Sequence, residues 1–413
     1  MTAMSAPALH APFDGGVVIV FAVVYLGMFL GGLPKLKLDR AGIALLGAIA
    51  VIPLAGETIQ DAARAVDLPT LVLLFAFMVV SAQMRLGGFY TEVTRRVAAL
   101  PLSPAALLAA LIAVAGALSA VFSNDVVCLA MTPVVARLAL RRGLDPLPLL
   151  VGLACAANIG SAATLIGNPQ NMLIGSVLKL HFGDYLRQAL LPVGLGLGLL
   201  WAWLAFGVRW QLTAARAAGA AQEPAFDAWQ STKGLIVATA LMGVFLFSDF
   251  PREVAALIGA GVLLMSRRLH SSEVMGFVDW QLLLLFIGLF VVNHAFEATG
   301  LSAQAVTWLQ GRGVHLHEPG TLTVIAVLLS NLVSNVPAVM LLLPHLGSNP
   351  QQAGVLLALV STLAGNLLLV GSIANLIVVD LAEKEGIRLD WRAHLRLAAP
   401  AALASLLLCV LVM

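Results

Sequence analysis

Charge is what this sequence has least of. Only 11% of its 413 residues are Asp, Glu, Lys or Arg, where a soluble domain carries roughly a quarter. Sixty per cent of the chain is hydrophobic and the mean hydropathy is +0.98, which excludes an ordinary soluble enzyme. The two-residue alternation of a membrane β-barrel is also missing. Backbone polar groups in lipid are satisfied only by helices or closed barrels, so the chain reads as an all-α integral membrane protein. Cysteine is scarce: Cys128, Cys155 and Cys409 are odd in number and lie in apolar surroundings. They form no metal or redox spacing and read as reduced packing residues. His181, His315 and His317 show no metal-ligand pattern either. No nucleotide-binding loop is present, so ATP is not the evident driving force. A net charge of +2 gives no reason to expect nucleic acid or an acidic partner. Met1 to Pro12 contain no Lys or Arg, so the basic start of a cleaved signal peptide is missing and the first apolar run is expected to be a retained span.

What the chain does have is four polar interruptions in apolar runs. The first half breaks at Ser123-Asn124-Asp125 and at Gly167-Asn168-Pro169-Gln170-Asn171. The second breaks at Ser334-Asn335-Val336-Pro337 and at Gly371-Ser372-Ile373-Ala374-Asn375. Polar groups are costly within a bilayer and are kept where they line a cavity or bind something. Paired interruptions in matching places of two halves point to the binding site of a secondary transporter.

The halves also correspond residue by residue. Asp67 and Asp279, Gly88 and Gly300, and Arg40 and Arg252 are related by an offset of 212. Ser123-Asn124 and Pro133 recur as Ser334-Asn335 and Pro344 at 211, and Gly167 and Asn171 recur as Gly371 and Asn375 at 204. A slowly drifting offset is what small loop indels produce. The predicted organisation is a first repeat over 1–207, a cytoplasmic linker over 208–231 and a second repeat over 232–413.

Predicted spans in the first repeat are Gly16–Leu33, Ala41–Leu54, Leu68–Met84, Pro104–Phe122 with a returning arm Val126–Ala136, an interrupted Leu147–Leu180, and Ala189–Gly207. The second repeat offers Gly234–Phe247, Val254–Ser266, Gln281–Phe296, Leu322–Val333 with Val336–Leu346, an interrupted Gly354–Leu381, and Leu395–Val412. Lys and Arg gather in cytoplasmic loops. Lys35, Lys37 and Arg40 place the first loop inside, and Arg85, Arg95 and Arg96 the third. Arg137, Arg141 and Arg142 read as inside too, so the segment between must enter and return. From Asp125 to Arg137 the chain rises about 16 Å, roughly half of a 30 Å hydrocarbon core. The first break is therefore expected to be a re-entrant hairpin tip near the midplane. Arg209, Arg216 and Lys233 keep the linker inside, and Arg267 and Arg268 fall inside two spans later. No positive cluster follows the second hairpin before Gln351, so it is expected to enter from outside, and Lys384, Arg388, Arg392 and Arg396 are inside again. The expected fold is an inverted-topology repeat of five transmembrane helices plus one re-entrant hairpin, twice, with discontinuous helices at mid-membrane.

A broken helix exposes N–H groups at one end and C=O groups at the other. The first attracts anions, and the second, with Asn and Ser oxygens, suits a cation or neutral polar solute. The small polar residues at the hairpin tips can cap the half-helices that follow, and Pro337 sits where its missing N–H costs nothing. Asp125 is the one acid at a tip. It reads either as a carrier of a proton or coupling cation, or as a helix cap. The candidate binding residues are Ser123, Asn124, Asp125, Asn158, Gly167, Asn168, Asn171, Ser334, Asn335, Val336, Asn366, Gly371, Ser372 and Asn375. Among them, Ser123, Asn124, Gly167, Asn335 and Gly371 are the possible holders of sodium. His294, Glu297 and Asp380 read as interface groups, Asp67 and Asp279 as helix caps, and Trp201, Trp203, Trp210, Trp280 and Trp391 as interface anchors.

At these motifs the chain resembles the ion transporter superfamily of arsenite permeases, sodium/proton antiporters of the same fold and divalent anion/sodium symporters. The likeness rests on Ser123-Asn124-Asp125 with Thr132-Pro133, Ile166-Gly167-Asn168-Pro169-Gln170-Asn171, Ser334-Asn335-Val336-Pro337 and Gly371 to Leu376. The closest resemblance is to a bacterial branch of anion permeases with a citrate-transporter-like domain. It implies a homodimer in which a scaffold domain holds a moving transport domain, and a site built from two hairpins and two broken helices. In the dicarboxylate branch both tips read Ser-Asn-Thr. Asp125 and Val336 replace the two Thr here, which argues against sodium-coupled dicarboxylate transport. No Arg or Lys sits at any break. The function expected is secondary active transport of a small inorganic or organic anion across the inner membrane, driven by a proton or sodium gradient. Membrane lipid is the surrounding partner, and no cofactor or enzymatic activity is expected. Arsenite-like efflux and carboxylate transport both stay open. A sodium/proton antiporter using Asp125 is the alternative, and a channel on the same scaffold is a third reading.

Overall fold

The computed structural model describes residues 15–32, 37–210, 225–266 and 268–413. Residues 1–12, Lys35, Arg216 and Arg267, on which the leader and sidedness expectations drew, lie outside the described residues. Every regular element among the described residues is helical.

The first half contains α1 (Gly15–Leu30), α2 (Arg40–Leu54), α3 (Ile59–Ala65), α4 (Leu68–Leu86), α5 (Phe89–Ala99), α6 (Pro104–Val121), α7 (Asn124–Arg142), α8 (Pro146–Ser161), α9 (Pro169–Val177) and α10 (Phe182–Ala202). A π-helical turn, Trp203–Gly207, closes this half. The second half contains α11 (Ala228–Phe247), α12 (Arg252–Leu264), α13 (Ser271–Met275), α14 (Trp280–Ala298), α15 (Leu301–Gln310), α16 (Pro319–Val333), α17 (Asn335–Leu342), α18 (Pro350–Ala364), α19 (Ile373–Lys384) and α20 (Trp391–Val412). Ten α-helices thus fall in each half among the described residues. Among the described residues, six helices are long and apolar enough to cross a membrane: α4, α6, α10 with its π turn, α11, α14 and α20.

Most predicted spans match helices to within a few residues; α7, α10 and α11 run longer than predicted, to Arg142, from Phe182 and from Ala228, and the connecting helices α3, α5, α13 and α15 are what the hydropathy pattern missed. They are short and polar, and local chemistry builds them. Thr58 and Asp61 close α3 with a reciprocal capping box, in which each satisfies an otherwise orphaned group of the other. The Thr58 hydroxyl and N–H hold the Asp61 carboxyl below the ordinary carboxylate range. On α5, Glu92 binds both Arg95 and Arg96.

The chain divides into two compact units, each drawing on both halves. One holds Met1–Asp67 and Trp280–Val314. Here α2 lies so close to α14 that a Cβ on Gly288 would fall 2.6 Å from the backbone carbon of Ala44. Tyr25 donates to Asn293 Oδ1 at 2.8 Å, Phe21 stacks on Phe296, and exposed His294 approaches Glu57 at 3.7 Å.

The other unit holds Leu68–Asp279 and His315–Met413. Its core is made by α8 and α18. Fifteen residues of α8 are buried, as is all of α18 from Gly354 to Ala364. Helices apolar on every side belong at the centre of a bundle. Cys128, Cys155 and Cys409 are free and buried in this unit. Exposed Asp380 pairs with Lys384. The indoles of Trp201, Trp203 and Trp210 donate to backbone carbonyls, while Trp280 of the first unit and Trp391 remain about half exposed.

Packing partners exchange between the halves. In the first unit α1 and α2 pack on α14, and in the second α11 and α12 pack on α4. Within their own halves α6 packs on α8 and α16 on α18, while across the halves α7 meets α19 and α17 meets α9.

Three expectations at the hairpins need correction. The arm leaving the first tip is the 19-residue α7, about 28 Å long at 1.5 Å per residue, so it is nearly twice the expected half-membrane length. Arg137 is not an interfacial marker charge: it is buried on α7 and its Nη1 donates to Glu385 Oε1 at 2.8 Å. Its partner carboxylate neutralises it within the fold, so only Arg141 and Arg142 report sidedness there. Finally, neither Ser123 nor Ser334 caps the following helix through its side chain.

Candidate functional site

The four breaks meet in the second unit, and the side chain at their centre is Asn158. It lies on the last turn of α8 and is 2% exposed. Its Oδ1 accepts from Asn124 Nδ2 at 2.9 Å and from Ser372 Oγ at 3.0 Å. Its Nδ2 donates to Asn366 Oδ1 at 2.8 Å and Asn375 Oδ1 at 3.3 Å. One carboxamide therefore joins the tip before α7, the turn after α18 and the start of α19. Each such bond is worth about 1 kcal/mol net, and an abandoned buried partner costs about 1–3 kcal/mol.

Thr362 does the corresponding work from α18. It stands at the offset of 204 from Asn158 that also relates Asn168 to Ser372. Its Oγ1 accepts from Asn168 Nδ2 at 3.3 Å and Gln170 Nε2 at 3.1 Å. Asn168 and Ser372 in turn cap α9 and α19 through their side chains. Each central helix thus holds the cap residue of the other half's broken helix, so the two discontinuities are cross-braced. Thr362 escaped the sequence reading because one hydroxyl in an apolar helix looks like an ordinary back-bonded Thr, and it does bond Ala358 O.

Close backbone approach explains the glycines. A Cβ on Gly167 would fall 2.2 Å from Ser161 O and 2.8 Å from Ser119 O. Asn124 N also donates to Gly167 O at 3.4 Å, which brings the first tip onto the first break. A Cβ on Gly371 would fall 2.7 Å from Asn331 Oδ1, and one on Gly365 would fall 3.2 Å from Asn335 Nδ2. The possible sodium holders therefore sort into two clusters, Ser123, Asn124 and Gly167 in one, and Asn335 and Gly371 around Gly365 in the other. Asn331 was missed, though it lies one helical turn before Asn335. Its Nδ2 donates to Val327 O and Ala364 O.

The two tips differ. Ser123 has ordinary extended backbone, at φ −60° and ψ 130°. Ser334 sits at φ 77° and ψ 160°, a region tolerated almost only by Gly and costing about 1–3 kcal/mol. Asp125, in the first turn of α7, is half-buried and receives no hydrogen bond among the described residues. Val336, its counterpart, is buried. Asn171 faces away from the centre, donating to Thr164 O and Tyr185 OH at 3.0 Å each.

Among the described residues, four buried asparagine side-chain oxygens remain without a partner, those of Asn124, Asn171, Asn331 and Asn335. Natural folds leave few such groups, and here one stands beside each of the four breaks. The site is rich in neutral donors and acceptors; Asp125 is the one carboxylate on its breaks, and Asp279 lies close enough to act on it electrostatically. His394 borders it, buried on α20 with Nε2 3.2 Å from Asn366 O.

Core helices that break around a buried polar network in a helical membrane protein fit a solute transporter. The chain belongs to the Citrate transporter family, which it matches over residues 17–364. It is 31% identical to the silicon efflux transporter LSI3 of Oryza sativa subsp. japonica, covering 89% of this chain and 90% of that protein. It is 30% identical to the inner membrane protein YbiR of Escherichia coli (strain K12), covering 80% and 84%. The fold is similar to that of the Alcanivorax borkumensis YdaH transporter, described as having an unusual topology, with a TM-score of 0.62 at 14% identity over 96% of this chain and 97% of that one.

Proposed function

We propose that this protein is a secondary active transporter that moves a small, weakly charged anion across the inner membrane by alternating access, with a proton or sodium gradient as the driving force. The observation that carries the reading is the make-up of the cross-braced site: neutral Asn, Ser and Thr groups, one carboxylate at Asp125, and no Lys or Arg at the four breaks. A multiply charged anion would find only helix ends to balance it, whereas a weak oxyacid or its monoanion is matched by alternating N–H donors and carboxamide acceptors. The relative named as a silicon efflux transporter favours the inorganic end of this range. Asp125 is the group for coupling, since its carboxylate is free to exchange a proton or hold a cation, and the unpartnered oxygens of Asn124 and Asn335 extend each tip as ligand.

The exchange of packing partners is what two repeats related by a two-fold axis in the membrane plane produce, and it supports the inverted topology with Ser123 and Ser334 at opposed hairpin tips. A homodimer follows from the superfamily resemblance. Asp125 also supports the alternative, a sodium/proton antiporter. Reconstituted protein in liposomes separates the two. Uptake of silicate or arsenite that collapses with the proton or sodium gradient is the expected result, and sodium/proton exchange without any added anion would replace the anion reading.

A further inference from the structure

We propose that the second unit holds one phospholipid whose headgroup carries both a phosphate and an ammonium group. Its seat is the bay where the α11–α12 turn meets the α9–α10 turn and the start of α4. This bay has a volume of about 420 Å³. Lys179, Arg252, Asp249 and Glu253 line it, and His181 lies beside them at 3.4 Å from Asp184. Arg252 Nη2 donates to Gly175 O at 2.9 Å, which fixes the guanidinium at the carboxyl end of α9 and leaves its other N–H groups to a ligand. Lys179 is exposed and held at φ 50° in the turn. Two bases and two acids around one bay complement a zwitterion better than a purely anionic headgroup.

The bay continues into a second hollow. Ser248 and Phe250 line both it and an apolar groove of about 370 Å³ between α11 and α12, walled by Ala240, Leu241, Val244, Ile258 and Val262. From Ser248 the groove reaches Val237, a descent of about 16 Å along a helix. That is half of the roughly 30 Å hydrocarbon core, the depth of one leaflet's acyl chain. Ile258 is 57% and Leu257 47% exposed beside it. A charged bay at the helix ends above a one-leaflet apolar groove has the shape and polarity of a single lipid.

The full-length protein, delipidated in mild detergent and titrated with phosphatidylethanolamine or phosphatidylglycerol of identical acyl chains, tests this by native mass spectrometry. Wild type should retain one lipid per chain and prefer the ammonium-bearing lipid by about fivefold, the scale of one exposed ion pair. Ala240→Trp, which fills the groove from an exposed position, should lower occupancy at least as much without changing the melting temperature. Asp249→Asn with Glu253→Gln should equalise the two lipids while the groove stays filled. Equal retention of both lipids by wild type, or unchanged occupancy in Ala240→Trp, would overturn the proposal. So would an Ala240→Trp chain that loses dimer instead of lipid, because the groove would then belong to a second copy.

Discussion

Asn158 has four hydrogen-bond partners, on α7, in the turn after α18 and on α19. Replacing it by Ala strands several of them in a dry core. Asn158→Ala should cost about 2–4 kcal/mol by thermal unfolding, a few unsatisfied groups' worth, and should abolish transport in liposomes. Ser334 makes the opposite prediction. Its backbone is strained at φ 77°, and Ser334→Gly should stabilise the protein by about 1 kcal/mol. If the strain is stored for the transport cycle, the same variant should turn over more slowly, which a liposome uptake rate measures. Asn124, Asn335, Gly167 and Gly371 were legible as site residues because polar or conformationally special residues are rare in apolar runs. Thr362 was not, since its role depends on bonds to Asn168 and Gln170 in the other half of the chain.

Helices and their breaks are the next scale. The positions of α8, α9, α18 and α19 were legible because Pro, Gly and Asn interrupt otherwise continuous hydropathy. The length of α7 was not. Arg137 looked like the end of a membrane arm, yet the helix runs on to Arg142 because Glu385 supplies the buried charge with a partner. Glu385→Gln should therefore cost about 2 kcal/mol in chemical denaturation, as a charge-assisted bond in a largely buried setting. Contact between the first break and the helices around it depends on a glycine. Gly167→Ala forces a methyl into Ser161 O and Ser119 O, and a loss of about 1–3 kcal/mol in unfolding free energy is expected from overpacking.

For the whole molecule, the prediction concerns sidedness. With inverted repeats, cysteines introduced at Arg141 and Ser348, both exposed, should react with an impermeant thiol reagent from opposite faces of the membrane, in a background lacking Cys128, Cys155 and Cys409. Labelling of both from one face would remove the inverted topology and with it the pairing of the two tips.

The sequence by itself determined that the chain is a helical membrane protein, where its spans break and that its two halves correspond. These follow from composition and local spacing, since lipid penalises every unsatisfied polar group and leaves only functional ones in place. Only the tertiary structure decided that Asn158 and Thr362 brace each other's broken helices, that Arg137 is neutralised by Glu385, and that one tip is relaxed and the other strained. The first two depend on partners tens to hundreds of residues away, and no local pattern records which distant group will satisfy a buried hydrogen bond.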